Sequence, residues 1–362
     1  MTSYSVRMAW RRSTFWLIVL LASIARADTS SRLAGPPRSR SGHGAISLAN
    51  GDVLVTGGRN KGATSETYNA RTGVWTPAGE LKESRFGFSM VRLNDNRAMA
   101  IGGYQNQYLS SCEIYEPGKR SWTVTGSLKA ARGVNAAEVL PDGRVLVAGG
   151  FGNGLIGVID AEIYDPRQGT WSPAPGNTLV GVIGMAPLSR ARVLACGGET
   201  AGAMSTAAEV FDGATKAWKL VAPMNAGRAH HSTVTLPDGR VLVFGNLRPD
   251  KSAELYDPAK NEWSKTEPIP DAISYAHATT LLPDGRVLTC GNGRGAQMFD
   301  PKSGKWTRLA PMGENRVYPL VATLPDGRAI VMGGGTRGCE VYDPKKDAWS
   351  KGPDLTDDRR RW

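Results

Sequence analysis

Glu162-Ile-Tyr-Asp-Pro-Arg-Gln-Gly-Thr-Trp171 decides the fold, because the chain repeats its aromatic frame seven times. Tyr164 is followed seven residues later by Trp171. The same spacing joins Tyr68 to Trp75, Tyr115 to Trp122, Phe211 to Trp218, Tyr256 to Trp263, Phe299 to Trp306 and Tyr342 to Trp349. Successive tryptophans stand 47, 49, 47, 45, 43 and 43 residues apart. A period in the forties with one aromatic signature per unit is the mark of a β-propeller, one four-stranded blade per unit. Stacked repeats of an open solenoid are also periodic, but the four-strand unit and the tryptophan spacing argue against that arrangement.

Upstream of each aromatic frame lies a short alternating stretch ending in leucine, such as His231-Ser-Thr-Val-Thr-Leu236, which reads as an inner strand. Pro-Asp-Gly follows at 141–143, 237–239, 283–285 and 325–327. Proline presets φ and Asp-Gly accepts positive φ, so these are hairpin turns. The return strand is apolar, as in Val145-Leu-Val-Ala148, and stops at a glycine pair. The pairs are Gly57-Gly58, Gly102-Gly103, Gly149-Gly150, Gly197-Gly198 and Gly333-Gly334, with Gly245-Asn246 and Gly291-Asn292 in units five and six. Unit four has Leu188-Ser-Arg-Ala-Arg192 where units three, five, six and seven have Leu-Pro-Asp-Gly-Arg, at unchanged length, so a blade is still expected there.

This succession of Gly-Gly, Glu-x-Tyr and Trp resembles the kelch repeat, and the resemblance covers residues 40–355. It implies an all-β chain, a seven-bladed kelch-type β-propeller with four antiparallel strands per blade. The expected layout is a signal peptide at 1–27, an N-terminal segment at 28–39, the propeller at 40–355 and a basic tail at 356–362. Blade 7 closes on blade 1 either without strand exchange, since the units run in phase with the chain, or with 33–37 pairing onto the last blade.

Arg7, Arg11 and Arg12 precede an apolar run from Phe15 to Ile24 and then Ala25-Arg26-Ala27. A positive region, a short apolar region and an A-x-A site predict cleavage after Ala27 and a secreted or periplasmic protein. The apolar run is too short to span a bilayer, so no membrane span is expected after cleavage. The chain carries a net charge of +11. Residues 1–27 hold four arginines and no acid, so cleavage leaves 40 basic against 33 acidic residues, or +7. That mild excess admits anionic partners, and no nucleic-acid module is present. Cys112, Cys196, Cys290 and Cys339 fall in four different units, and their matched positions are not in neighbouring units. Disulfides need Cα atoms within about 7 Å, so four unpaired buried thiols are expected.

The turns within units are short and constant, whereas the loops after the glycine pairs vary: 59–65, 104–111, 151–160, 199–206 and 246–251. Variable loops on a rigid scaffold are where binding concentrates, so the ligand site is expected on that face, with Tyr104 opening one of its loops. Arg40, Arg85, Arg132, Arg228 and Arg316 each stand seventeen residues before the first glycine of their unit's pair. Units four and six have Val180 and Ser274 there instead. Two readings are open for this set. A ring of guanidinium groups at the channel mouth suits capture of carboxylate or phosphate, and in kelch adaptors the matching positions contribute to binding acidic peptides. Alternatively, each arginine pairs with a strand-three glutamate and stabilises a blade. His43, His231 and His277 share one position at the start of the inner strand and are read as polar side chains lining a wet channel; His231 and His277 join the arginines and Tyr104 as candidate ligand contacts.

The inner strands at His231 and His277 are similar to the propeller of galactose and glyoxal oxidases around a copper-ligand histidine. Those enzymes place a tyrosine directly before it, whereas His230 and Ala276 stand there here. The departure argues against a copper-radical oxidase. Exported kelch proteins that act as sialic acid mutarotases imply a second, sugar-processing reading. No motif identifies an acid/base pair, so no catalytic residue, cofactor or metal is predicted. The principal expectation is a monomeric exported kelch propeller that binds a protein or glycan, anionic ones included, through its variable-loop face.

Overall fold

The computed structural model describes residues 43–59, 62–200 and 203–355. The expected signal peptide at 1–27, the 28–39 segment, Arg40 and the 356–362 tail lie outside these. Seven sheets of four antiparallel strands follow one another in chain order. Blade 3 is representative: Ala136–Val139, Val145–Ala148, Glu162–Asp165 and Thr170–Pro173 pair in sequence order. The other first strands are Gly44–Ser47, Ser89–Arg92, Ile183–Pro187, Ser232–Thr235, His277–Leu281 and Pro319–Thr323. Each first strand touches the first strand of the next blade, and that of blade 7 touches that of blade 1, so the seven form a closed inner ring. Blade 4, with the weakest repeat, forms a full four-stranded sheet.

The seven-residue aromatic spacing is a register. Every Tyr or Phe stands directly opposite its Trp across the third and fourth strands, as Tyr164 opposite Trp171. Their ring centroids lie 4.9–5.2 Å apart, a contact distance favourable to aromatic pairs. Each indole also ties its blade to the one before. Trp122 Nε1–H donates to Ser65 Oγ, Trp171 to Gly126 O, Trp218 to Ala174 O, Trp263 to Ala222 O, Trp306 to Thr266 Oγ1 and Trp349 to Ala310 O. The seventh, Trp75 in blade 1, donates to Pro353 O beyond the last strand, at 3.2 Å.

Closure is therefore made by the same bond as every other blade junction. Among the described residues the last blade's four strands all come from 319–351 and the first blade's from 44–80, with no exchange between them; the 33–37 segment lies outside the described residues. Val53, Val55 and Tyr68 of blade 1 pack with Leu324, Ile330 and Met332 of blade 7.

The core is not one mass but seven clusters among the described residues, one at each junction between neighbouring blades. The second strands are buried on both faces and read as unbroken apolar runs, such as Val145–Ala148 and Val241–Phe244. All four cysteines are unpaired and buried in these clusters, each thiol pushed up to about 12 by burial. The glycine pairs are required by a close approach. Gly102 has φ 61°, and a Cβ there would lie 2.3 Å from the carbonyl oxygen of Arg132 in the next blade.

Candidate functional site

The arginine set occupies one equivalent position, as its spacing predicts, but not at the channel mouth. Arg85, Arg132, Arg228 and Arg316 are at most 1% exposed, among the most deeply buried large side chains described. Each ion-pairs with the strand-three glutamate of its own unit: Arg85 with Glu113 at 2.8 Å, Arg132 with Glu162 at 3.0 Å, Arg228 with Glu254 at 3.2 Å and Arg316 with Glu340 at 3.0 Å. The seventeen-residue spacing is itself a hydrogen bond, since each Nη1 donates to the carbonyl of the glycine that defines it. The arginine's own carbonyl accepts from a glycine N–H of the preceding blade: Gly58 to Arg85, Gly103 to Arg132, Gly198 to Arg228 and Gly293 to Arg316.

Each arginine is thus a keystone, its guanidinium knitting its own blade while its carbonyl bonds the preceding one. The guanidinium groups are spent on internal acceptors and do not form an exposed anion-binding ring, which corrects the ligand-capture reading for these four; Arg40 lies outside the described residues.

The glutamates carry equal work. Glu113 accepts from Lys82 N and Glu83 N, Glu162 from Lys129 N and Ala130 N, and Glu254 from Asn225 N and Ala226 N. A carboxylate holding two backbone donors and a guanidinium satisfies the inter-blade link that would otherwise be buried without partners. Blade 6 lacks the arginine and replaces the glutamate too: Gln297 accepts from Asp271 N and donates to Asp271 O, with no net charge buried. Blade 4 keeps Glu209 without an arginine and gains the hydroxyl of Thr178.

His231 and His277 are also placed differently from the wet-channel expectation. Each is wedged between blades over the glycine that ends the preceding blade's second strand. A Cβ on Gly197 would meet His231 Cε1 at 2.5 Å, and one on Gly245 would meet His277 Cε1 at 2.7 Å. His231 Nε2 lies 3.6 Å from Cys196 Sγ. Ser274 O takes the Nδ1–H of His277 at 2.5 Å, leaving its Nε2 to accept from Ser232 Oγ at 2.9 Å. Burial drives His231 down to about 3 and His277 to about 4, so both rings are neutral wedges. Among the described residues no three of His, Cys, Asp and Glu converge in a way that holds a metal.

Among the polar loop residues of the variable-loop face, such as the exposed Gln105, Asn106 and Gln107, lies a group of aromatic and aliphatic side chains. Tyr104 sits between two edge-on rings, Phe86 at 5.3 Å and Tyr108 at 5.2 Å. All three are half-buried, and burial together with the Tyr104 phenol pushes Tyr108 up to about 12. Arg59 stands 6.0 Å from the Phe86 centroid, within cation–π range. Tyr108 N donates to Asn153 Oδ1, which carries this surface onto the blade 3 loop beside Ile156. Ile156 is 70% exposed, and Ile159, Val134 and Val317 on the same face are also exposed.

A second group spans blades 5 to 7: His230 lies 5.9 Å from Tyr275, which lies 5.4 Å from Tyr318. His230 Nε2 is buried without a hydrogen-bond partner. His230 and Tyr318 hold φ 56° and Val134 φ 54°, where blade 2 has Gly87 at 59°. A left-handed bulky residue costs on the order of 1–3 kcal/mol. Here it aims the backbone N–H at the preceding blade: Val134 N to Gly87 O, His230 N to Val182 O and Tyr318 N to Ala276 O.

Of these side chains the sequence points to Tyr104 as a candidate contact, and the structure adds Phe86, His230, Tyr275 and Tyr318. Aligning the two residues before each inner strand would have shown the aromatic side chains recurring there.

Comparison with known proteins agrees with this architecture. The kelch motif family matches residues 134–178, which span blade 3 and its entry. The chain is 32% identical over 128 residues to Kelch-like protein 35 of Mus musculus and 28% identical over 131 residues to that of Homo sapiens. In each case about 34% of this chain and 21% of the relative are covered. The match therefore spans about a fifth of the length of these curated relatives. A fungal alcohol oxidase of the AA5 family, solved in complex with copper, superposes with a TM-score of 0.68 at 17% identity, covering 83% of this chain and 72% of that one. At that identity the likeness is one of fold. The chain is thus a seven-bladed β-propeller of four-stranded antiparallel blades, with a kelch motif recognised in its third blade.

Proposed function

We propose that this propeller is a protein-binding module that engages its partner through the variable-loop face, in the secreted or periplasmic space to which the N-terminal segment would direct it. The observation that carries the reading is the half-buried aromatic and exposed aliphatic surface across blades 2 and 3: Phe86, Tyr104, Tyr108, Val134 and Ile156. Rigid aromatic side chains at the centre of a patch with polar residues around it are the usual energetic anchors of protein interfaces. Gln105, Asn106 and Gln107 supply such an exposed polar rim. Kelch repeats in the relatives above support the same class of role. The sugar-processing reading leaned on a basic channel mouth, and the four described arginines that would make it are buried in ion pairs.

The test is affinity capture from the extracellular or periplasmic fraction, using wild type, a Tyr104→Ser/Tyr108→Ser/Ile156→Asp variant and a Val124→Asp control on an outer strand. The loop-face variant is expected to lose the captured partner by about 30-fold or more, with the control unchanged. A partner held equally by all three proteins rejects the loop-face assignment.

A further inference from the structure

The first hairpins obey one rule in five blades. Arg97, Arg144, Arg240, Arg286 and Arg328 each ion-pair with the aspartate two residues earlier, at 2.6–2.8 Å. Arg144, Arg240 and Arg286 then reach on to a carbonyl oxygen in the following blade: Gly213, Pro301 and Pro344. Each such arginine is a clasp that seals the outer cleft between two blades. Blade 1 has Asp52 in the arginine's place, and blade 4 keeps the arginine but breaks the rule. Its turn is Ser189-Arg190-Ala191, with Arg190 at φ 61° and Ala191 at φ 59°, so a second basic residue stands where the aspartate belongs. Arg192 Nε donates to Ser189 O in its own turn at 3.3 Å, and among the described residues its guanidinium makes no ion pair and no hydrogen bond to a blade 5 carbonyl, standing instead near Tyr256.

At the junction of blades 4 and 5, which has no such clasp, a cleft of about 410 Å³ opens against Pro258 and Tyr256. That volume falls within the ~300–1,000 Å³ typical of small-molecule sites. Arg192 and Lys219 line it opposite Asp212, leaving a net positive charge, and Leu188 and Leu220 form its apolar wall. Leu220 is 65% exposed, an apolar side chain left uncovered beside the guanidinium. We propose that this cleft binds a small organic carboxylate with an apolar body, its carboxylate paired with Arg192 and its chain laid on Leu188 and Leu220. A planar guanidinium offers two parallel donors to such a group. The site lies on the hairpin face, away from the loop-face surface, and is independent of it.

The test is calorimetric titration of the full chain with sodium hexanoate, sodium acetate and hexylammonium chloride. Hexanoate is expected to bind, acetate much more weakly for want of the apolar contact, and hexylammonium not at all. Arg192→Gln should weaken hexanoate about tenfold or more. A second variant, Ser189→Pro/Arg190→Asp/Ala191→Gly, rebuilds the turn of the other blades, pairs Arg192 internally and should abolish binding without lowering the melting temperature. The proposal fails if hexanoate does not bind, if hexylammonium binds as tightly, or if both variants retain wild-type affinity.

Discussion

Arg132 shows what one residue does in this fold. Its carbonyl closes on blade 2 through Gly103 N, while its side chain holds Gly149 O and Glu162 of blade 3. Replacing it by alanine leaves Glu162 charged and buried with only backbone donors, and removing one partner of a buried pair costs about 3–5 kcal/mol. The expected outcome of Arg132→Ala is a fall in unfolding free energy of that size, measured by denaturant titration. Blade 6 supplies the compensating design, a serine and a glutamine at the two positions, Ser274 and Gln297. The double variant Arg132→Ser/Glu162→Gln should therefore lose clearly less than Arg132→Ala alone, a non-additivity typical of groups in one network. If the single variant melts like wild type, the keystone assignment is wrong. At this scale the sequence was half legible. The seventeen-residue spacing marked one shared position, but spacing does not say whether a guanidinium faces water or a glutamate, because burial is a property of the neighbouring blade.

An element here is a blade, and its strands were legible because each carries a local signal: the Pro-Asp-Gly turn, the apolar return strand, the glycine pair and the opposed Tyr and Trp. What the sequence did not disclose is that the outer strand's tryptophan serves the preceding blade through its indole N–H, and that position His231 is an inter-blade wedge over Gly197. Both are contacts between repeats, which a single repeat cannot encode. The cysteines were legible by register alone, and their burial follows from it. Cys112 and Cys339 stand where the third strand enters the junction, and Cys196 and Cys290 at the end of the second strand. Thiolate is the reactive species, and thiols pushed up to about 12 hold almost none at neutral pH. Titration of the native chain with a thiol reagent at pH 7.5 (a chosen value well below ~8.5) should find no fast-reacting group, and the denatured chain should show all four. Rapid reaction in the native state would mean that the blade junctions open.

For the whole molecule, the inner ring sets how stability depends on pH. Burial depresses His230 and His277 to about 4 and His231 to about 3. Below about pH 6.5 the unfolded chain takes up protons that these folded rings refuse, so stability falls on acidification by up to about 1.4 kcal/mol per pH unit for each ring. Glu138 has the opposite sign. It faces the junction of blades 3 and 4 from the inner strand, where the equivalent positions hold Ile46, Val91, Ala186, Val234, Thr280 and Ala322. Burial alone raises it to about 8. Between about pH 4.3 and 8 the folded state keeps a proton that the unfolded chain has released, so stability falls as pH rises through that window. With three groups acting below pH 6.5 and Glu138 opposing them and continuing above it, the stability maximum is expected near pH ~6.5. Glu138→Gln should steepen the acid limb, where Glu138 opposes the histidines, and flatten the alkaline one. The carboxyl is only half-buried at the channel wall, so the gain at pH ~8.5 is discounted for solvent screening to about 1–3 kcal/mol. Urea titrations of both proteins at pH ~5, ~6.5 and ~8.5 measure it. Parallel curves across all three would show that Glu138 keeps ordinary carboxylate behaviour and that the inner ring is wet at this junction.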